Sequence, residues 1–277
     1  LFELNYIFDT GLNNDPALAL AFTYLRYLGT QDMTPEQIQF EFYKLAGSYE
    51  ASVSYERTTI SISGLSENMD SAVELVEKLF ASAKGDDQIL ASVKANLQKA
   101  YANAKLNQNN NFSMLRSYGM YGPKSPVTNR LPEERFASIT SDELLAKVRD
   151  FIKQEHRITY YGPMGEQELL SHINQHHTVP ATLTAVPKLV TFPRLLTNEN
   201  KVYIAEYDAD NIIMSQIANY NTTFDPSKDA IIDLYNSYFG GGMNAIVFQE
   251  MREARGLAYT AQAWLAGPSK KANPYIY

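Results

Sequence analysis

The stretch YFGGGMNAIVFQEMREARGLAY, residues 238 to 259, decides how the chain is read. Three consecutive glycines followed by arginines invite a phosphate-binding loop. Such a loop needs a strand before the glycines and a helix after them, so that the first helical amides face the anion. Here the residues on both sides, Asp225 to Phe239 and Asn244 to Arg255, carry helical patterns, and no Lys-Ser or Lys-Thr pair follows the glycines. Gly240 to Gly242 therefore predict a tight corner between two helices and no nucleotide site.

Working outward, LAYTAQAWLA (257–266) reads as a strand after the second helix, and KVYIAEYD (201–208) and IIMSQIANYNTTF (212–224) as strands before the first. Upstream of these, residues 177 to 200 hold Pro180, Pro187 and Pro193 with no helical period, which predicts a linker. The residues before it repeat the same vocabulary at greater length. Residues 2–8 alternate as a strand, and Pro16 opens a helix to about Leu28. Thr34, Pro35 and Gln37 form a capping box for the next helix, with Gly47 past its end. Strands follow at 49–55 and 57–64, then helices at about 67–83 and 87–106, the latter dying in the polar run NQNNN (107–111). A second capping box, Thr140 with Glu143, leads a helix bearing Leu144, Leu145, Val148 and Ile152. A strand at 157–162 and a helix at 166–176 close this part. The predicted fold class is α+β: an antiparallel sheet with helices packed on one face, in tandem domains. The expected division is a first domain at 1–180, a linker at 181–196, and the start of a second domain at 197–277.

Composition narrows the function. The chain has 277 residues, a net charge of −7 and no cysteine. The acidic balance argues against a nucleic-acid partner, and the missing cysteines remove disulfides, thiol catalysis and cysteine-bound metal. No stretch approaches the ~20 apolar residues of a membrane span. An acidic, cysteine-free chain of this kind fits a bacterial periplasmic or cytoplasmic protein, with the periplasm preferred. Most of the 19 tyrosines are accounted for by tyrosine's liking for half-buried strands. The first residues, LFELNYIFDTG, and the last, KKANPYIY, both look like strands cut through, as in a piece of a longer protein.

HINQHH (172–177) is the only histidine cluster. On a helix, Glu168, His172 and His176 share a face at a spacing that can bind zinc. With no further His or carboxylate nearby in sequence, a solvated helix end is the expected reading, and no metal is assigned.

The segment GGGMNAIVFQEMREARGLAY resembles the pitrilysin/insulinase family of zinc metallopeptidases, whose zinc motif is the inverted H-x-x-E-H. Gly240 to Gly242, Phe248, Arg252 and Gly256-Leu257-Ala258-Tyr259 carry the match. More loosely, LGTQDMTPEQIQFEFYKLAGSYEASVSYERTTISI (28–62) and FASITSDELLAKVRDFIKQEHRITYYGPM (136–164) look like other segments of such domains. The departure from the family is as specific as the match. Where H-x-x-E-H would stand, this chain has Leu20, Thr23 and Tyr24 in ALALAFTYLRYLGT, and residues 4–31 contain neither His nor Glu. The later glutamate ligand is missing too, because no acidic residue lies between Gln88 and Leu131. Zinc catalysis needs three protein ligands and an open position for water, so this chain alone is expected to be inactive, without cofactor.

The resemblance implies a division of labour. Family members close two halves like a clamshell around a peptide, with zinc in one half and an Arg and a Tyr contributed by the other. Arg252 and Tyr259 match those substrate- and transition-state-binding positions. The implied function is part of a zinc-dependent metalloendopeptidase that degrades peptides. The implied partner is a zinc-bearing half, in the same polypeptide or in a separate subunit. The alternative is a non-catalytic structural or substrate-guiding subunit related to the same peptidases.

Overall fold

A computed structural model describes residues 1–267 and residue 276; most of the strand-like run KKANPYIY (270–277) lies outside the described residues. The chain divides into two compact units. One comprises Leu1–Leu106 with Lys124–Phe192, the other Asn107–Pro123 with the chain from Pro193 onward.

The first unit is built on a four-stranded sheet in the order β2-β3-β1-β4, formed by β1 (Phe2–Phe8), β2 (Ser48–Val53), β3 (Thr58–Gly64) and β4 (Arg157–Tyr161). Every pairing is antiparallel, with Leu4 opposite Ile62 on one side and Tyr160 on the other. The alternation in the sequence is the cause of the burial. Phe2, Leu4, Tyr6, Phe8, Ile60 and Ile62 are all buried on one face, while Glu3, Asn5 and Ile7 turn the other way. Helices cover the apolar face: α1 (Leu18–Leu25), α3 (Met69–Ser82) and α7 (Ser141–Phe151) contact one another or the sheet. α1 is apolar almost all round and is buried almost all round, as expected of a helix sunk between sheet and neighbours.

Both capping boxes form. Thr34 with Gln37 opens α2 (Pro35–Lys44), and Thr140 with Glu143 opens α7. At the end of α2 the left-handed residue is Ala46, at φ 45°, one position before Gly47. The amides of Ala46 and Gly47 reach back to the carbonyls of Tyr43 and Phe42, which closes the helix in a Schellman turn.

α4 (Asp87–Ala104) ends where expected, but the polar run does more than end it. Asn107 accepts from the amide of Asn110 and caps a further helix, α5 (Gln108–Tyr121), for which the sequence predicts nothing. α5 groups with the second unit: the amide of Leu195 donates to the carbonyl of Met120, and the rings of Tyr118 and Tyr203 meet edge to face. The short α6 (Glu133–Ser138) is also unforeseen, whereas α8 (Glu166–His176) falls at the predicted place.

In the second unit, α9 (Asp229–Phe239) and α10 (Ile246–Phe248) form as predicted in place, with α10 running on as a π turn over Gln249–Ala254. The segments 201–208, 212–224 and 257–266, predicted as strands, form no ladder among the described residues; one isolated bridge joins Ala266 to Ile276. Their apolar residues show why. Val202, Ile204, Ile212 and Met214 are each at least 77% exposed, so the alternation has no covered face to select a register.

Candidate functional site

The glycine corner is a packing device. A Cβ on Gly240 would lie 1.9 Å from the carbonyl oxygen of Ala263, so only glycine lets the chain at 263 approach this closely. Asn236, one turn back on α9, locks the same chain. Its side-chain amide donates to the carbonyl of Leu265 at 3.1 Å and accepts from the Leu265 amide at 2.7 Å, in the manner of a neighbouring strand. Gly242, by contrast, has open space where a Cβ would stand.

Beyond the corner the chain turns through α10 and the π turn, and Gly256 ends it at φ 59°. The amides of Gly256 and Leu257 return to the carbonyls of Arg252 and Met251, which reverses the chain and brings residue 259 back beside the helix. Arg252 and Tyr259 therefore meet. The guanidinium carbon of Arg252 stands 4.5 Å from the ring centre of Tyr259 and 4.8 Å from that of Phe248. These residues line a cavity of about 370 Å³ together with Gly242, Met243 and Trp264. Tyr259 is 82% exposed, and the Arg252 side chain is 35% exposed. The site thus offers a guanidinium and a phenol, both hydrogen-bond donors, on an apolar wall open to solvent. Phe248, four residues before Arg252, is the helical neighbour that holds the guanidinium from behind, a role its spacing makes legible. Asn236 and Trp264 carry no such signal, since each joins the site only through the return of the chain.

Leu20, Thr23 and Tyr24, where the family resemblance puts the zinc motif, lie on α1 in the first unit. Leu20 and Tyr24 are buried, and Thr23 borders a shallow cavity of about 210 Å³ with Arg26, Tyr49 and Glu50. The Tyr24 hydroxyl accepts from the Asp86 amide at 2.7 Å, donates to the Asp86 carbonyl at 3.0 Å and meets Ser141 Oγ at 2.6 Å. It ties the start of α4 to the start of α7. A hydrocarbon, a neutral hydroxyl and a phenol already engaged do not make a zinc ligand set, so a catalytic zinc of the H-x-x-E-H type does not fit here.

HINQHH departs from the sequence expectation of a solvated helix end. Asp70 and Glu74, on α3, accept from or pair with His172 and His176 on α8, and Glu77 pairs with His177 at 2.6 Å. His156 completes the group, its Nε2 3.0 Å from that of His177. Glu168 is exposed and is not the carboxylate the histidines meet.

No family model matches the chain, and no curated protein matches it. Solved structures do. A protease from Helicobacter pylori superposes with a TM-score of 0.67 at 14% identity, covering 99% of this chain and 68% of its own. The periplasmic protease PqqL from Escherichia coli superposes at 0.72 and 17% identity, covering 99% of this chain and 31% of its own. A peptidase M16 inactive domain from Pseudomonas fluorescens gives 0.67 at 20% identity, covering 99% of this chain and 68% of its own. The chain has the fold of M16 peptidase domains, as its resemblance to the pitrilysin type leads one to expect, and it spans under a third of PqqL.

Proposed function

We propose that a chain with this fold serves as the substrate-enclosing, non-metal half of a zinc metalloendopeptidase that degrades peptides. Arg252 and Tyr259 bind the peptide carbonyl as its oxygen gains charge, at a zinc held by another half of the same polypeptide or by a partner subunit. One observation carries this reading: the two donors converge on one open cavity wall, with the arginine held between aromatic rings. Fold alone hosts many functions, so the weight rests on that site. Preorganised donors aimed at a developing oxyanion are worth more than the same groups in water, because they need no reorganisation during the reaction. The chain by itself supplies no catalytic metal and no general base, and is inactive alone on this reading. A periplasmic location is proposed with it; among the described residues no helix is long and apolar enough to cross a membrane.

A second reading, a structural or substrate-guiding subunit, is favoured by the description of the Pseudomonas fluorescens relative in fold as an inactive domain. One kinetic experiment separates the two. In the assembled peptidase, Tyr259→Phe and Arg252→Lys should each lower kcat by about 10²–10³, or roughly 3–4 kcal/mol, with a smaller rise in KM. Rates within about twofold of the parent for both variants would favour the subunit reading.

A further inference from the structure

We propose that Asp70, His172 and His176 form a zinc site that fastens α8 onto α3. The inference is independent of Arg252 and Tyr259. His172 and His176 stand four residues apart on α8 and so face the same way. Asp70, in the first turn of α3, reaches both: its carboxylate is 2.8 Å from His172 Nδ1 and 3.4 Å from His176 Nε2. One ligand atom from each of the three residues lies within 4.8 Å of the others. Tetrahedral zinc with bonds of about 2.0–2.1 Å holds its ligand atoms about 3.3 Å apart, so small side-chain rotations complete the geometry.

Glu74 supplies an independent reason. It lies 2.7 Å from His176 Nδ1, so that in the neutral ring this nitrogen donates to Glu74 and Nε2 presents its lone pair to Asp70. Two acceptors then face each other, a pairing that a cation between them satisfies. A carboxylate behind a ligating imidazole is the arrangement that fixes tautomer and ring orientation at zinc sites. Glu74 is thus a positioning residue. Two imidazoles and one carboxylate suit zinc over calcium or magnesium, which prefer all-oxygen surroundings. The side chains of His172, His176 and Asp70 are between 17% and 34% exposed, so an ion can enter and a water can take the fourth position. α8 has reason to need the fastening, since it has no fully buried residue of its own.

The test is calorimetric titration of zinc chloride into the full chain after dialysis against chelator, with magnesium and calcium chloride as controls. Thermal unfolding with and without zinc accompanies it. The expected result is one saturable equivalent of zinc, no saturable magnesium or calcium, and a higher melting temperature with zinc. His172→Ala and His176→Ala should abolish the saturable event, and Glu74→Gln should weaken it about 10–100-fold. Absence of a saturable equivalent in the parent chain overturns the proposal, as does binding that survives both histidine substitutions. So does a loss of melting temperature in His172→Ala that is the same with and without zinc, which is the behaviour of a histidine–carboxylate pair alone. Should a variant fail to fold, cobalt(II) added to the parent chain decides: the strong visible absorption of a four-coordinate site supports the proposal, and the weak absorption of hexaaqua cobalt sinks it.

Discussion

The guanidinium of Arg252 lies over the ring of Tyr259, so the two residues proposed to bind substrate also hold one another. The stacking and the hydroxyl can be tested apart. Tyr259→Phe keeps the ring and should leave the melting temperature of the chain within about 1–2 °C of the parent, the effect of a surface change below ~0.5 kcal/mol. Arg252→Ala removes two cation–ring contacts and a favourable charge near a helix end, and should cost about 1 kcal/mol by urea unfolding. A Tyr259→Phe variant that loses as much stability as Arg252→Ala would mean that the hydroxyl is structural.

The glycines of the corner should differ sharply from one another. Gly240→Ala places a methyl against the backbone of Ala263 and should destabilise the second unit by about 1–3 kcal/mol or more. Gly242→Ala meets nothing and should be close to neutral, within about 0.5 kcal/mol. Denaturant melts of the two variants side by side make the comparison; equal losses would contradict the packing role assigned to Gly240.

Tyr24, where the family resemblance puts a zinc ligand, is expected to behave as a structural residue. Tyr24→Phe strips the hydroxyl from Asp86 and Ser141 and should cost about 1–3 kcal/mol, the usual penalty for leaving buried partners unsatisfied. Hydrogen exchange should show the loss at the starts of α4 and α7. Unchanged protection at both helix starts would count against this role.

Glu143 gives the fold an acid-sensitive element. The Arg135 guanidinium, with the Thr140 amide, holds its carboxyl down at about 2, against an ordinary value of 4.5. The sign follows from the depressed folded value: the stabilisation is fully present above pH 4.5 and is lost as pH falls towards about 2. The gap in urea midpoint between the parent and Glu143→Gln should be constant above about pH 5 and narrow as pH is lowered through that window. A gap that does not change with pH would refute the assignment.

Local signals in the sequence lead directly to much of the fold. Capping boxes at Thr34 and Thr140, the alternation of Phe2 to Phe8 and the apolar stripe of α3 each depend on near neighbours, and each appears in place. What escapes the sequence depends on distant chain. α5 looks like the frayed end of α4 because Asn107 serves as a cap only once a helix follows it, and that helix packs on residues beyond 193. The segment 201–208 carries a strand's alternation, yet a strand also needs a neighbour and a covered face. At the site, the i to i+4 spacing of Phe248 and Arg252 is legible, whereas the return of Tyr259 depends on the conformation of Gly256. The helical spacing pairs His172 with Glu168, four residues away, while Asp70, the carboxylate His172 meets, is 102 residues away along the chain.

The placement of α5 has a consequence for how the protein is made. The chain passes from one unit to the other three times, after Leu106, after Pro123 and after Phe192. Neither unit is therefore a continuous stretch of polypeptide, and α5 leaves the ribosome well before Leu195 and Tyr203, its partners, have been synthesised. Through that interval α5 lacks the chain it packs against. The same placement means that no single cut releases either unit whole: a fragment ending at Phe192 keeps α5 and loses what α5 packs against.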